Sequence, residues 1–345
     1  MWLFWLLVAL PLFADNKRGD TAEPSGSAVV FMYHHFGQSR YPSTNIRLEQ
    51  FESHLDYLEK NGYTVWPLSR IIRSLLGNKK IPSKTVALTM DDACISIYTE
   101  AYPRLKARKW PFTVFVNTSP VDNGSPNFMS WDQMRQMHAS GAEFANHSLS
   151  HDLLLPRPDE TQQMWQKRLK NEIEGAQKRL HEELGSGTNE NPKLFSYPFG
   201  EYNTQTAELI RSMGYTCVSQ TSGPIGRQSD LMALPRFPMA EAFGHLEGFS
   251  LKLQTLPLPV VSASPWEPLL TAENPPQLRL KLKRPVKEMG CYLASGEAVK
   301  LQWISETEAE IRAKAPLLAP RDRYTCTAPA EDGRWYWYSH LWIVK

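Results

Sequence analysis

Apolar and amphipathic segments alternate from residue 28 to about residue 219. Short apolar or β-branched runs have the length and composition of buried strands, and the segments between them repeat apolar residues at helical spacing. The predicted strands are Ala28–Tyr33, Tyr63–Trp66, Thr85–Met90, Phe112–Val116, Lys193–Tyr197 and Tyr215–Ser219. The predicted helices are Leu48–Lys60, Trp131–Ala139, Asp159–Leu184 and Thr204–Met213. This alternation predicts an α/β fold, with a parallel sheet or barrel surrounded by helices.

The composition changes after Gln254. Six prolines fall within residues 254–277, where average usage would give about one, and this density predicts a Pro-rich linker or an extended crossover. Beyond it, strand-like patterns occupy Leu278–Lys283, parts of Glu297–Arg312 and Trp335–Tyr338. We therefore predict an α/β domain over residues 23–253 and a small, β-sandwich-like all-β module over residues 278–345.

The aromatic run Trp335–Tyr338 (WYWY) has two interpretations. Its rings could stack on sugars, or alternate members could fill the core of the β-module because successive side chains of a strand face opposite ways. We favour the core, since aromatic side chains are so often buried.

The N-terminal residues 1–22 have the pattern of a signal peptide and leader. An apolar run ends at Ala14 and a polar stretch begins at Asp15. The run is shorter than the roughly 20 residues of a membrane span, so we predict cleavage near Ala14 and export to the periplasm or the extracellular space. An uncleaved anchor is the alternative. After cleavage we expect no integral membrane domain.

Export would permit disulfide bonds. Of the four cysteines, Cys291 and Cys326 both lie in the C-terminal segment, and we predict that they pair. Cys94 and Cys217 are predicted to be small buried thiols.

Composition and charge narrow the class of protein. Hydrophobic residues make up 42% of the 345-residue chain, enough for packed cores, and the length suggests two domains. The net charge of +2 and the lack of a basic stripe argue against a nucleic-acid partner. Nothing in the sequence indicates the oligomeric state.

Residues suited to catalysis follow several of the apolar runs. Val86–Asp92 ends in two carboxylates, Asn146–His151 carries two imidazoles four positions apart, and Phe195–Gly200 holds a Pro turn followed by a free backbone N–H. His34 follows the run that ends at Tyr33. In an α/β barrel the active site lies at the carboxyl ends of the strands, so we expect these features to converge.

One carboxylate and two imidazoles form a three-ligand metal site with room for water. The second carboxylate is then available as a general base. His147 and His151 have the spacing that places two side chains on one face of a helical turn. The combination predicts metal-assisted hydrolysis.

These motifs resemble those of the polysaccharide deacetylase family, the NodB-homology group of carbohydrate esterases. Thr89–Ala93 (TMDDA), His147–His151 (HSLSH) and Tyr197–Gly200 (YPFG) are similar to its first three motifs in order. The early Tyr33–His35 most resembles the exported subgroup that deacetylates poly-N-acetylglucosamine. The resemblance spans roughly residues 28 to 245 and implies a distorted (β/α) barrel.

The resemblance also implies roles for individual residues. Asp92, His147 and His151 would hold one divalent metal ion, with zinc preferred and nickel, cobalt or iron as alternatives. Asp91 would be the general base and His34 the general acid. The backbone N–H of Phe199 would help to hold the oxyanion.

The chain departs from the family pattern at two positions. Ser196 stands where many members have an arginine that orients the base, and we predict that Arg236 takes over that task with Asp230 orienting Arg236 in turn. Ala93 replaces the usual glycine, which suggests that this turn need not adopt positive φ.

We therefore predict a metal-dependent hydrolase that removes N-acetyl groups from an N-acetylglucosamine-containing polysaccharide. An esterase for sugar O-acetyl groups and a cyclic-amide hydrolase are alternatives on the same fold. A third hypothesis is an inactive polysaccharide-binding protein, against which the complete Asp-Asp and His-x-x-x-His sets argue.

Overall fold

The computed structural model describes residues 26–271 and 273–345, so the predicted signal peptide lies outside the described residues. The strands of the α/β part are β1 (Ala28–Tyr33), β2 (His35–Phe36), β3 (Asn45–Ile46), β4 (Thr64–Val65), β5 (Thr85–Asp91), β6 (Thr113–Val116), β7 (Glu143–Asn146), β8 (Lys193–Ser196), β9 (Tyr215–Val218) and β10 (Phe237–Pro238). Its helices are α1 (Leu48–Lys60), α2 (Leu68–Leu76), α3 (Tyr102–Ala107), α4 (Thr118–Asp122), α5 (Trp131–Ala139), α6 (Gln162–Leu184), α7 (Thr204–Ser212) and α8 (Leu246–Leu253).

The central sheet is a distorted parallel barrel, as predicted. Its strands lie in the order β10-β1-β5-β6-β7-β8-β9, and β4 pairs with the first part of β5. The segment Leu234–Pro238 closes it, because Leu234 pairs with Val218 of β9 while Phe237 pairs with Phe31 of β1. Every residue of β1 and β5 is buried, as expected for parallel strands covered on both faces.

The predicted helices agree closely with the structure. α1 and α5 have the predicted bounds, and the Ser130 side chain accepts a hydrogen bond from Gln133 N–H as the N-cap of α5. α6 begins at Gln162 rather than Asp159, because the Thr161 side chain accepts a hydrogen bond from Met164 N–H and so fixes the helix start.

The C-terminal part is a sandwich of two four-stranded sheets with its own apolar core. Its strands are β11 (Thr255–Pro257), β12 (Val260–Ser264), β13 (Gln277–Leu282), β14 (Gly290–Tyr292), β15 (Lys300–Ser305), β16 (Glu308–Arg312), β17 (Arg321–Pro329) and β18 (Trp335–Ile343). One sheet has the order β11-β18-β17-β14 and the other β12-β13-β16-β15. The predicted disulfide between Cys291 and Cys326 is confirmed and joins β14 to β17.

The expectation of a separate linker over residues 254–277 is wrong. β11 pairs with β18 and β12 pairs with β13, while Leu256 and Leu258 are buried. The prolines permit this because Pro257 ends a short edge strand and Pro259 lies between strands, where no ladder N–H is needed.

Strand β18 packs against both parts of the molecule. Trp337 lies edge-on to Phe237 of the barrel, with ring centroids 5.4 Å apart, and Leu341 and Ile343 join a barrel cluster. Tyr336 and Tyr338, on the opposite face, pack into the sandwich core. Alternate aromatic residues therefore fill cores, as we favoured from the sequence, and the sandwich rests directly on the barrel.

Within the described residues, the helices lack the combination of length and apolar character needed to cross a bilayer.

Candidate active site

The predicted site residues converge at one edge of the barrel. Asp91 is the last residue of β5, and Ser196 is the last residue of β8. His34 directly follows β1, and His147 directly follows β7. Parallel strands bring their carboxyl ends to the same edge, so residues far apart in the chain become neighbours there.

Asp92, His147 and His151 form a compact group whose ligand-type atoms all lie within 4.8 Å of one another. Asp92 Oδ1 is 3.2 Å from Nε2 of each imidazole. Yet neither Asp92 Oδ1 nor His147 Nε2 makes a hydrogen bond to any described residue.

The tautomer of His147 explains this arrangement. Its Nδ1 lies 2.7 Å from the Ser196 carbonyl oxygen, and a carbonyl only accepts, so Nδ1 carries a proton and the neutral imidazole presents a lone pair at Nε2. A lone pair facing a buried carboxylate oxygen calls for a cation between them. Ligand atoms that share one ion at about 2.0–2.2 Å lie roughly 3 Å apart, so this donor set fits a divalent metal ion.

The two histidines do not lie on a helix, contrary to the expectation from their spacing. Ser148 and His151 have φ of 69° and 63°, and the segment is an irregular loop. The Asn146 side chain accepts from Ser148 N–H, and the Ser148 hydroxyl accepts from His151 N–H. Such local side-chain bonds compete with helix formation, so the imidazoles converge through a folded loop.

Helix α6 supports this loop through Glu172. The buried carboxylate accepts hydrogen bonds from Leu149 N–H, Ser150 N–H and the Ser150 hydroxyl at 3.1, 2.9 and 2.9 Å. Sequence reasoning missed Glu172. The available signal was an acidic residue between apolar positions on the inward face of a long helix.

The turn after β5 adopts positive φ, contrary to the expectation from Ala93. Asp92 and Ala93 have φ of 74° and 56°. The Ala93 carbonyl accepts a hydrogen bond from Met129 N–H at 2.9 Å, and Ala93 is fully buried. Tertiary contacts thus hold an alanine in a conformation that usually favours glycine.

Asp91 is held by Arg236, as predicted. Two Arg236 nitrogens donate to its two carboxylate oxygens, each at 2.7 Å, and the Ser196 hydroxyl donates to Oδ2 at 3.1 Å. The side chains of Asp91 and Arg236 are completely buried. Asp230 does not orient Arg236, because its carboxylate accepts from Met232 N–H and Trp266 Nε1–H instead, while Arg236 Nε donates to the Ser219 carbonyl.

Both carboxyls are held in the ionised form. Burial alone would raise the pKa of Asp91, but the charge and hydrogen bonds of Arg236 outweigh it and hold that pKa below its usual value. At Asp92 the adjacent imidazoles, in their protonated form, outweigh burial in the same way and hold its pKa well below the usual range.

A cleft of about 450 Å³ opens over this group, and its lining includes His34, Asp92, His151 and Phe199. Asp91, His147 and Arg236 do not line it; they are completely buried.

Phe199 has φ of 59°, and its ring packs against the imidazole of His151 at 4.5 Å between centroids. Its carbonyl oxygen accepts a hydrogen bond from Arg321 of β17. The sandwich therefore reaches the turn that carries Phe199.

The chain is similar to known polysaccharide deacetylases. The family model described as polysaccharide deacetylase matches residues 78–218. The putative polysaccharide deacetylase YxkH of Bacillus subtilis is 26% identical over 231 residues, covering 64% of this chain and 76% of that protein. The poly-beta-1,6-N-acetyl-D-glucosamine N-deacetylase of Escherichia coli K12 is 25% identical over 268 residues, which cover 67% of this chain but 39% of that enzyme.

Solved structures share the fold. IcaB from Ammonifex degensii superimposes with a TM-score of 0.57 at 26% identity, covering 67% of this chain and 98% of that one. The Streptococcus pyogenes deacetylase PplD gives 0.58 at 23% identity, with 66% and 98% covered. The chain thus contains a polysaccharide deacetylase domain over residues 78–218, and the relatives and solved structures that it resembles are also deacetylases.

Proposed function

We propose that this protein is a metal-dependent hydrolase that removes N-acetyl groups from a polysaccharide containing N-acetylglucosamine. The observation that carries the proposal is the convergence of Asp92, His147 and His151 beside the buried Asp91–Arg236 pair. Relatives named as poly-N-acetylglucosamine deacetylases support the substrate class.

Asp92, His147 and His151 would hold one divalent ion, with zinc preferred and nickel, cobalt or iron as alternatives. When bound, such an ion supplies Lewis acidity that makes water more acidic and polarises the acetyl carbonyl.

Asp91 acts as the general base. Arg236 and Ser196 together occupy two acceptor positions on Oδ2, whereas among the described residues only Arg236 donates to Oδ1. A carboxylate oxygen has two lone pairs, so Oδ1 retains one to take a proton from the attacking water. The lowered pKa keeps Asp91 ionised at neutral pH.

Phe199 and His34 complete the reaction from the walls of the cleft. The Phe199 backbone N–H stabilises the oxyanion, a contribution typically worth about 2.7–4 kcal/mol. His34 delivers a proton to the departing sugar nitrogen, which suits an imidazole because its ordinary pKa is near neutral.

We also infer that the protein is exported, as its N-terminal pattern suggests. The Cys291–Cys326 disulfide supports an oxidising compartment such as the periplasm or the extracellular space.

Two substitutions test the mechanism separately. Asp91→Asn should retain about one metal ion per chain and lose at least about 100-fold in turnover, the usual contribution of a general base. His147→Ala should lose the metal itself. The measurements are elemental analysis of the purified protein and acetate release from N-acetylglucosamine oligomers.

His138→Ala, at an exposed histidine of α5, is the matched control and should keep both metal and activity. Parallel assays on O-acetylated xylan oligomers separate amide from ester hydrolysis. A metal-free preparation with full activity would refute the mechanism.

A further inference from the structure

The cleft has a second wall, built by the sandwich. Arg321, Asp322 and Arg323 of β17 line the cleft together with Ala294. The family model ends at residue 218, well before this wall begins. The part of the chain that joins the cleft here is therefore additional to the domain that carries the proposed catalytic residues.

The register of the sandwich fixes the direction of this wall. Arg321 pairs with Ile343 and Arg323 pairs with Leu341 across β17 and β18. Leu341 and Ile343 are buried against the barrel. Directly paired residues share a face of a sheet, so both arginines project on the side where the sandwich meets the barrel and its cleft.

The two arginines are in different situations. Arg321 is engaged, because it donates to the Phe199 carbonyl and lies 3.9 Å from the Glu201 carboxylate. The Arg323 guanidinium has neither an ion pair nor a hydrogen bond to any residue that the structure describes. It is nevertheless half-buried, and desolvation lowers its pKa. A partly desolvated guanidinium without a partner is suited to a ligand.

The neighbouring acid does not supply that partner. Asp322 Oδ1 accepts from Ala294 N–H at 2.9 Å and from Arg323 N–H at 2.7 Å. Asp322 Oδ1 therefore binds two backbone N–H groups rather than the Arg323 guanidinium. Arg323 lines the cleft.

We propose that Arg323 binds the acetamide carbonyl oxygen of the sugar adjacent to the one being deacetylated. This inference rests on the proposed function. A guanidinium has five donors and no acceptor, so it pairs with a carbonyl oxygen. It cannot pair with the ammonium group of a deacetylated sugar, which is also donor-only and carries the same charge. The enzyme therefore prefers sites whose neighbour is still acetylated.

The test compares two N-acetylglucosamine oligomers that differ only in whether the neighbouring sugar is acetylated or carries a free amine. Wild type should show a higher kcat/KM for the fully acetylated oligomer by about tenfold, near the low end for a hydrogen bond to a charged group. Arg323→Gln should raise KM for that oligomer about fivefold to tenfold, leave kcat within about twofold, and abolish the preference.

Arg334→Gln is the matched control, because Arg334 lies in the same sandwich outside the cleft and pairs with Asp332. Arg323→Lys keeps the charge without the planar fork and should give an intermediate preference. Thermal melting establishes whether each variant is folded. If Arg323→Gln is unfolded, the oligomer preference of Arg323→Lys tests the role of Arg323 instead.

The outcomes distinguish the two proposals. A wild-type enzyme that releases acetate from neither oligomer refutes the proposed function. Acetate release from both at equal efficiency, or a folded Arg323 variant with the wild-type preference, overturns the role of Arg323 and leaves the proposed function intact.

Discussion

At the scale of single residues, the Asp91–Arg236 pair is the most constrained feature of the site. Both side chains are completely buried, and the guanidinium also bonds to Thr89, Ser196 and Ser219. Removing one member of such a pair leaves the other charge buried without its partner. A substitution at either residue should therefore change the stability of the barrel as well as the proposed base.

We predict that Arg236→Gln lowers the free energy of unfolding by about 3–5 kcal/mol, because it leaves the Asp91 carboxylate buried without its partner. The double variant Asp91→Asn/Arg236→Gln should recover part of that loss, since it carries no buried charge at the pair. Chemical denaturation of the wild type, both single variants and the double variant gives the coupling energy. Equal effects in the Arg236 single variant and the double variant would contradict the prediction.

At the scale of elements, the ligand loop depends on a helix that contributes no ligand. Glu172 of α6 receives three hydrogen bonds from Leu149 and Ser150, between the two histidines. These bonds satisfy backbone N–H groups that an irregular loop would otherwise leave without partners. Because α6 packs against β7, these bonds fix the loop relative to the barrel and so place His147 and His151.

We predict that Glu172→Ala weakens metal binding about 10-fold or more, the usual effect of losing groups that orient ligands. The measurement is the metal dissociation constant in competition with a chelator. Glu174→Ala, at an exposed position of the same helix, is the control and should bind metal as the wild type does. Unchanged affinity in a folded Glu172→Ala protein would show that the loop holds its shape without the helix.

At the scale of the whole molecule, two buried histidines make stability depend on pH. His54 packs flat on Phe249 at 4.0 Å and contacts the Gly244 carbonyl at 2.8 Å, and burial lowers its pKa to about 4. His340 of β18 packs on Trp342 at 4.4 Å, and burial lowers its pKa to about 3. Between about pH 6.5 and 4, both imidazoles remain neutral in the folded protein, whereas the same histidines take up protons in the unfolded chain.

We predict that the free energy of unfolding is highest above about pH 6.5, the pKa of histidine in the unfolded chain, and falls as the pH drops toward 4. Each of the two histidines should lower the free energy of unfolding by about 1.6 kcal/mol between pH 6.5 and 5. Melting temperatures measured from pH 7.5 to 5 check this. His340→Phe should flatten the pH dependence, whereas His138→Phe at an exposed site should not; equal slopes in these variants would exclude a role for His340.

Local sequence was sufficient for much of the fold and for the identity of the chemical groups. The bounds of β1, α1 and α5 follow from side-chain periodicity and capping, which involve residues a few positions apart. The same holds for the acidic pair after β5 and the two histidines after β7. α2 was missed although its apolar residues have helical spacing, because it is short and follows Pro67 without a polar N-cap.

Only the tertiary structure decided how those groups are arranged. Arg236 reaches Asp91 across 145 positions of the chain, and Asp230, only six positions away, goes to Trp266 instead. The left-handed Ala93, the folded histidine loop and the Arg321–Phe199 contact likewise depend on partners brought in by other elements. Periodicity and motif spacing are local properties, whereas these contacts exist only once the barrel has closed and the sandwich has packed onto it.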